Sequence, residues 1–138
     1  MAKKKVFVSY DHSEDVLYKR LLQAWSANDK FDFEFDQRSP DVAIDSTNAS
    51  TIQGALTKKM LESDYLLVIV GAKTSTSKWI KWEVERAMKS DTKLKLAAVK
   101  IISSNALPTG LTASNTAIAN GFTQDGTIAA LDKASNNY

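Results

Sequence analysis

The stretch "YLLVIVGAKTSTSKWIKWEVERAM", residues 65–88, joins a continuous apolar run to a helical pattern. An uninterrupted apolar run such as 65–70 is typical of a strand that is covered on both faces of a parallel sheet. After Ser77, which we expect to be an N-cap, apolar residues recur on one face at roughly 100° per residue, as in an amphipathic helix. These residues are Ile80, Val84, Ala87 and Met88. A buried strand that leads into such a helix predicts one unit of an α/β fold.

The same alternation of strand and helix extends through much of the chain. Three more segments have strand character, at 6–10, 31–35 and 96–102, and the middle one alternates Phe with acids like a half-exposed edge strand. Helical periodicity covers 14–27 and 52–60. Capping pairs precede both helices: Asp11 with Glu14, and Ser50 with Gln53. We therefore predict an α/β fold with an open, mostly parallel, flavodoxin-like sheet of four to five strands and helices on both faces.

The length of 138 residues predicts a single domain, 1–138, with a recognisable core at about 4–102 and a less regular segment at 103–138. Within that last segment, 125–134 predicts a short closing helix. The polar loop at 36–49 is longer than ordinary strand-to-helix connections of about 2–6 residues, which indicates a functional or disordered loop.

Composition excludes several classes of protein. No cysteine is present, so disulfides, thiolate metal sites and cysteine nucleophiles are excluded, and we expect no metal site. The net charge of +2 argues against a nucleic-acid binder. No apolar run suits a signal peptide or a membrane span, so we expect a soluble, cytoplasmic protein. Residues 73–100 hold 8 Lys/Arg against 3 Asp/Glu, which indicates either a site for an anionic small ligand or a solvated lysine-rich face.

Two glutamates lie on the predicted helix of residues 78–88, and helical geometry separates them. Glu83 lies between the apolar stripe and an adjacent face that carries Trp79, Trp82 and Arg86. Glu85 points away from both. A carboxylate that is partly desolvated beside aromatic side chains has a raised pKa or directs its charge onto a ligand. Glu83 is therefore the candidate for chemistry, although helix geometry alone slightly favours a plain ion pair with Arg86.

Three features of the sequence meet at one edge of the predicted sheet. Ligands of open α/β sheets bind at the carboxyl ends of the strands. The helix that carries Glu83 begins at that edge, and the first strand ends there with Ser9, Tyr10 and Asp11. The long loop at 36–49 starts from the same edge. This convergence favours a binding site over a plain ion pair at Glu83.

Two stretches of the chain resemble conserved parts of TIR domains. The stretch "KVFVSYDHSEDVLYKRLL" (5–22) is similar to their first box, an apolar strand that ends in Ser-Tyr before an acidic helix start. The motif "KWIKWE" (78–83) is similar to the segment in which a Trp is followed, four residues later, by the glutamate on which NAD-cleaving TIR enzymes depend; here that position is Glu83. The resemblance covers about 4–89 and is stronger to the ThsB type of TIR-like domain, from the bacterial Thoeris anti-phage system.

The resemblance implies an activity and a set of partners. NAD would be the substrate, with no cofactor, and the nicotinamide–ribose bond would be cleaved with Glu83 as the catalytic residue. The product would be ADP-ribose or, as the ThsB likeness favours, a cyclic ADP-ribose isomer that a separate effector protein reads. TIR-like surfaces also imply self-assembly. Substrate contacts are expected from Ser9, Tyr10, Asp11, Asp45, Asn48, Lys73, Trp79 and Trp82. Main-chain N–H groups of 71–77 would help Lys73 to hold phosphate.

Departures from the family pattern leave other functions open. The Arg-Asp…Pro-Gly loop and the Phe-Trp box of receptor-type TIR domains are missing, which argues against a receptor adaptor. One alternative is a non-catalytic TIR-like interaction module that uses the indoles and Glu83 for docking. A second is an enzyme like the nucleoside deoxyribosyltransferases, which would exchange bases and ignore NAD. A third is a flavodoxin-like electron carrier, although 9–15 lacks the Ser/Thr-rich phosphate cradle that this would need.

Overall fold

The computed structural model describes residues 4–10, 20–22, 24, 25, 27, 33–37, 49–112 and 116–136 of the chain. The described strands are β1 (Lys4–Ser9), β2 (Phe33–Gln37), β3 (Tyr65–Val70), β4 (Lys95–Lys100) and β5 (Ala117–Ala119). The helices are α1 (Ala49–Leu61), α2 (Lys78–Ala87), α3 (Thr109–Thr112) and α4 (Gln124–Lys133), and a 3₁₀ turn, Thr74–Thr76, precedes α2. Residues 20–22, 24 and 25 are also helical, inside the helix predicted at 14–27.

The five strands form one sheet in the order β2-β1-β3-β4-β5, and all four neighbouring pairs are parallel. The predicted α/β fold with an open parallel sheet is therefore confirmed. Because every strand runs the same way, all the strands end at one edge, called the carboxyl edge below, and begin at the opposite amino edge. Ser9 pairs with Val68 in β3, close to the carboxyl edge.

Both faces of the sheet are covered, and strand alternation decides which side chain lies on which face. Phe7 packs on the face covered by α1 and α2, together with Leu66 and Val68. Val6 and Val8 pack on the other face, with Leu22 and residues of α4. All six residues of β3 are buried, as its continuous apolar run predicted. The two buried clusters show that helices cover both faces of the sheet, as predicted.

Two predictions about local structure came out differently. Ser50 does not cap the second predicted helix, because α1 begins at Ala49 and Ser50 lies inside its first turn. The segment after residue 102 adds α3 and the edge strand β5 before the closing helix, α4. That helix is confirmed, with Thr123 as its N-cap. The capping pair of Asp11 and Glu14 lies outside the described residues. Among the described helices, none combines the length and the apolar character of a membrane span.

Candidate active site

The helix α2 places its glutamates in opposite environments. Ser77 is its N-cap, as predicted, and the Ser77 hydroxyl accepts a hydrogen bond of 3.3 Å from the Ile80 N–H. The buried side of the helix consists of Trp79, Ile80, Glu83, Val84 and Ala87. Glu83 is therefore part of the buried stripe and not merely beside it, whereas Glu85 is exposed. The choice between the two glutamates made from helical spacing agrees with their burial.

Glu83 is held by a residue from the end of β1. Because side chains alternate along a strand, Ser9 points to the same face as Phe7, which is the face that α2 covers. The Ser9 hydroxyl donates a hydrogen bond of 2.9 Å to Oε1 of Glu83. Each of the two side chains is only 1% exposed. The contact joins residues 74 positions apart in the chain, and it fixes the orientation of the carboxyl group.

The second oxygen of Glu83, Oε2, is buried and has no hydrogen-bond partner among the residues that the structure describes. Buried polar atoms are nearly always paired, so an orphan of this kind needs an explanation. Burial raises the pKa of Glu83 from its ordinary 4.5 to about 8, and the hydrogen bond from Ser9 only partly opposes this. The carboxyl group is therefore mostly protonated at neutral pH, and a ligand that brings a positive charge next to it would favour the ionised form.

Arg86 does not neutralise Glu83. Its guanidinium lies 2.8 Å from Oδ1 of Asp91 and makes a second bond of 2.8 Å to Oδ2, so the pair is bidentate. The simpler interpretation, in which Glu83 merely pairs with Arg86, is therefore wrong. The reason is geometric: Arg86 is half-buried on the side of α2 that faces the turn after the helix, and Asp91 lies in that turn.

The aromatic residues of α2 contribute mainly to packing. Trp79 and Trp82 meet edge to face, with ring centroids 5.8 Å apart and an angle of 87° between their planes. Trp79 is only 9% exposed and belongs to the buried cluster under α2, while Trp82 is half-buried and packs against that cluster. Of the two, Trp82 is the indole with surface left to offer a ligand, and substrate contact by either stays a prediction.

Tyr10, one residue beyond β1, alternates with Ser9 and packs in the cluster on the opposite face of the sheet. Its own burial raises the pKa of its phenol, and the charge of Glu83 adds to that effect. The ring of Tyr10 thus joins the core on the face opposite α2, and substrate contact by Tyr10 stays a prediction.

The loop between β3 and α2 is closed by its own hydrogen bonds. Thr74 is completely buried: its hydroxyl accepts from the Gly71 N–H at 2.7 Å and donates to the Ile69 carbonyl at 3.1 Å. The N–H groups of Thr74, Thr76 and Ser77 also bond to carbonyl groups within the loop. These four N–H groups are thus occupied, and the prediction that the main chain of 71–77 grips phosphate is wrong for them. The Lys73 side chain is exposed at the carboxyl edge, and its phosphate contact stays a prediction.

Other predicted contacts lie outside the described residues: Asp11, Asp45 and Asn48. Two functional features were missed from the sequence. Ser9 was expected to contact the nucleotide, yet its hydroxyl orients Glu83. The alternation of side chains along β1 could have predicted this role, because it places Ser9 on the same face of the sheet as Phe7. Thr74 was not singled out, although a Thr three residues after a strand-ending Gly is a common way to lock a tight loop.

The open parallel sheet with helices on both faces has the architecture of a TIR-like domain. A family model described as "Thoeris protein ThsB, TIR-like domain" matches residues 7–106. The chain therefore belongs to the ThsB family of TIR-like domains, which function in anti-phage defence. The match includes β1 from Phe7, the whole of α2 and the loop that joins β3 to α2. No curated protein sequence matches the chain.

Proposed function

We propose that this TIR-like domain cleaves the bond between nicotinamide and ribose in NAD, with Glu83 as the catalytic carboxylate. The observation that carries the proposal is the orphan Oε2 atom of a 1% exposed carboxyl group at the carboxyl edge of a parallel sheet. A core glutamate whose only role was structural would have both oxygens paired, because an unpaired buried acceptor costs about 1–3 kcal/mol. NAD offers the missing partners, namely ribose hydroxyl donors and a positively charged ring.

The chemistry suits one carboxylate without a general acid. The bonding electrons of the glycosidic bond move to the ring nitrogen, so nicotinamide leaves as a neutral molecule and C1′ of the ribose becomes an oxocarbenium ion. An ionised carboxylate beside that carbon stabilises the developing positive charge. The positive pyridinium ring of the bound substrate favours ionisation of Glu83, which burial alone suppresses. Water attack on C1′ gives ADP-ribose and releases one proton, whereas attack by a nucleophilic atom of the same molecule gives a cyclic isomer.

The remaining residues would bind and orient the substrate. Ser9 holds Oε1 at 2.9 Å and so leaves Oε2 to face the ribose. Trp82 offers the partly exposed indole of α2 as a wall. Contacts with Tyr10 and Lys73 belong to the same proposal, as do contacts with Asp11, Asp45 and Asn48. The proposal also includes a cyclic product, a separate effector that reads it, and assembly of several copies before turnover, as the resemblance to ThsB-type domains implies.

The direct test is incubation of the full chain with NAD at several protein concentrations, followed by chromatographic separation with mass detection. We expect nicotinamide release, with a second product at the mass of cyclic ADP-ribose, 18 Da (one water) below ADP-ribose. A rate per molecule that rises with protein concentration would support self-assembly. Heat-inactivated protein gives the background rate.

Two outcomes would contradict the proposal. Base exchange between nucleosides with no action on NAD would indicate a deoxyribosyltransferase-like enzyme. The absence of any turnover at every concentration, also with a crowding agent, would favour the non-catalytic interaction module, in which the half-buried Trp82 would be part of the docking surface.

A further inference from the structure

A second candidate site lies at the amino edge of the sheet, opposite Glu83. It is a groove of about 450 Å³ between the starts of β1, β3 and β4, within the usual size range of small-ligand pockets. The charged residues that line it are Lys4, Lys93, Lys95 and Asp64. Three lysines against one carboxylate leave a net charge of +2. Since Lys4 and Ser9 are separated by the length of β1, about 16 Å at 3.3 Å per residue, the groove is distinct from the candidate active site.

The lysines of this groove have no acidic partner among the residues that the structure describes. The described ion pairs near the amino edge join Lys59 to Glu62 and Arg86 to Asp91, and within the described part of the chain none involves a lysine of the groove. Asp64 is itself engaged, because its Oδ2 accepts a 3.1 Å hydrogen bond from the Lys5 N–H.

The lysines are also held in place. The ammonium of Lys4 lies 5.6 Å from the centroid of the Phe33 ring, and that of Lys95 lies 5.4 Å from the centroid of Tyr65, both within the range of cation–π contacts. Lys93 has a φ of 43°, and it is the one residue other than glycine with a positive φ in the described part of the chain. Backbone outliers of this kind concentrate at functional sites.

Two hydrogen bonds keep Lys93 in that conformation. Its N–H donates to the Lys89 carbonyl at 2.7 Å, and its carbonyl accepts from Nδ2 of Asn136 at 3.2 Å. The backbone that carries the Lys93 side chain is thus fixed at the rim of the groove, on a turn that joins α2 to β4.

Helix ends do not account for this positive charge. Three helices, α1, α2 and α4, end toward the amino edge, and each carries a partial charge of about −0.5 at its C-terminus. Lys58 and Lys133, in the last turns of α1 and α4, already offset most of that negative charge. The groove lysines lie on strands and a turn, so their positive charge is not needed to offset the negative helix ends.

We infer that the groove at the amino edge binds the polyphosphate group of a small ligand. Compact ammonium groups suit phosphate oxygens, and a site with a net charge of +2 favours a ligand with at least two negative charges. The limited volume of this open groove suits a small ligand better than the larger contact that a macromolecule would make. The site goes beyond the proposed NAD cleavage and does not depend on it.

The test uses inorganic tripolyphosphate as the probe and the full chain, with calorimetry and ¹⁵N NMR at low and physiological ionic strength. We expect saturable 1:1 binding, with amide shifts centred on 92–95 and Asn136. The variant Lys93→Gln/Lys95→Gln should bind about tenfold more weakly. The control Lys78→Gln/Lys81→Gln removes the same charge from exposed positions in the first turn of α2, away from the groove, and should bind within about twofold of the wild type. Thermal melts verify that each variant folds. If the double variant does not fold, the single variant Lys93→Gln replaces it in the binding comparison.

Three results would overturn the inference. Equal weakening in both double variants would mean attraction to overall charge only. Amide shifts centred on the loop at 71–77 would assign the phosphate to the carboxyl edge. Tighter binding of an octaglutamate peptide than of tripolyphosphate, lost in Lys93→Gln/Lys95→Gln, would make the groove a docking surface for an acidic protein. Turnover of NAD enters none of these measurements, so failure here is separable from failure of the proposed function.

Discussion

Glu83 carries an energetic cost that the rest of the core does not share. Its carboxyl group is excluded from water, one oxygen is paired with Ser9, and no cation adjoins it among the described residues. Folding therefore favours the protonated acid, and the pKa rises from 4.5 to about 8. If the fold needed only a buried side chain at this position of α2, an apolar residue would make the protein more stable than Glu83 does. We therefore attribute the carboxyl group to function.

This cost predicts how stability depends on pH. Below pH 4.5 Glu83 is protonated in both the folded and the unfolded state and contributes no pH dependence. Between about 4.5 and 8 the folded protein binds more protons at this site than the unfolded chain does, so its contribution to stability falls as pH rises, and it levels off above pH 8. The variant Glu83→Gln cannot ionise. The free energy of unfolding of the variant, relative to that of the wild type, should therefore increase across this window, by on the order of 5 kcal/mol in total.

Urea denaturation of both proteins at pH 5, 6, 7, 8 and 9 measures this difference. Glu85→Gln, on the exposed side of the same helix, is the control and should show no comparable trend. A difference between wild type and Glu83→Gln that stays constant over the whole range would mean that Glu83 is not desolvated in the folded protein.

Ser9 should act on the reaction through Glu83. Removing the hydroxyl in Ser9→Ala deletes the hydrogen bond that lowers the pKa of Glu83, so the pKa rises further. If ionised Glu83 is the active form, the rising limb of the pH profile of kcat/KM moves to higher pH, and kcat/KM at pH 7 falls roughly tenfold. Ser9→Thr keeps a hydroxyl and should retain the limb near the wild-type position. A uniform fall at every pH, with no shift of the limb, would reduce Ser9 to a structural role.

Sequence reasoning could select Glu83 over Glu85, because helical phase depends only on local spacing. It could not show that Glu83 is fully buried or that Ser9 is its partner. That contact spans 74 positions and depends on how α2 sits over β1. For the same reason the pairing of Arg86 with Asp91 was missed: the turn after α2 decides it, and no periodicity describes that turn.

At the scale of elements, α2 is fixed from two directions. Its N-terminus follows the loop locked by Thr74, and its middle packs against the short helix α3. The contact with α3 is close: a Cβ added at Gly110 would lie 2.9 Å from Cγ1 of Val84, the residue after Glu83. The absence of a side chain at Gly110 thus lets α3 approach the part of α2 that carries the carboxyl group.

We predict that Gly110→Ala destabilises the protein by about 1–3 kcal/mol, because Val84 must move to relieve the overlap. The matched control is Gly54→Ala, in the exposed interior of α1, where the added Cβ meets nothing within 4 Å. That substitution should stabilise by about 0.5–1 kcal/mol, since Ala is the better helix former. Chemical denaturation measures both. Equal effects of the two substitutions would show that α3 does not pack on α2 as described.

The elements that sequence reasoning found are those with strong periodicity, such as β3 and α2. The strand β5 was missed because it has three residues, Ala117–Ala119, with no alternation to detect. It is a strand only because β4 offers an edge for pairing, which is a tertiary effect. The predicted N-cap of α1 was wrong for a comparable reason. Several polar residues near Ser50 are acceptable caps, and local sequence does not decide which of them begins the helix.

At the scale of the whole molecule, the parallel sheet separates two kinds of chemistry. Among the described residues, its carboxyl edge holds a buried acid with no cation paired to it, and the groove at its amino edge holds three lysines against one aspartate. The positive bias of 73–100, left open from the sequence between a ligand site and a solvated face, is in part resolved by the fold. Lys93 and Lys95 reach the groove, whereas Lys78, Lys81 and Lys89 lie on exposed turns of α2 or just after it.

The measurement that tests the central claim most directly is the initial rate of nicotinamide release from NAD by Glu83→Gln and Glu85→Gln, beside the wild type at equal concentration and pH 8. We expect Glu83→Gln to lose activity by about 10²–10³-fold, because the uncharged amide cannot stabilise the oxocarbenium ion. Glu85→Gln should stay within about twofold, since its side chain is exposed and away from the buried stripe. Thermal melts of both variants verify folding. Full activity in a folded Glu83→Gln, or an equal loss in both variants, would contradict the assignment of Glu83 as the catalytic carboxylate.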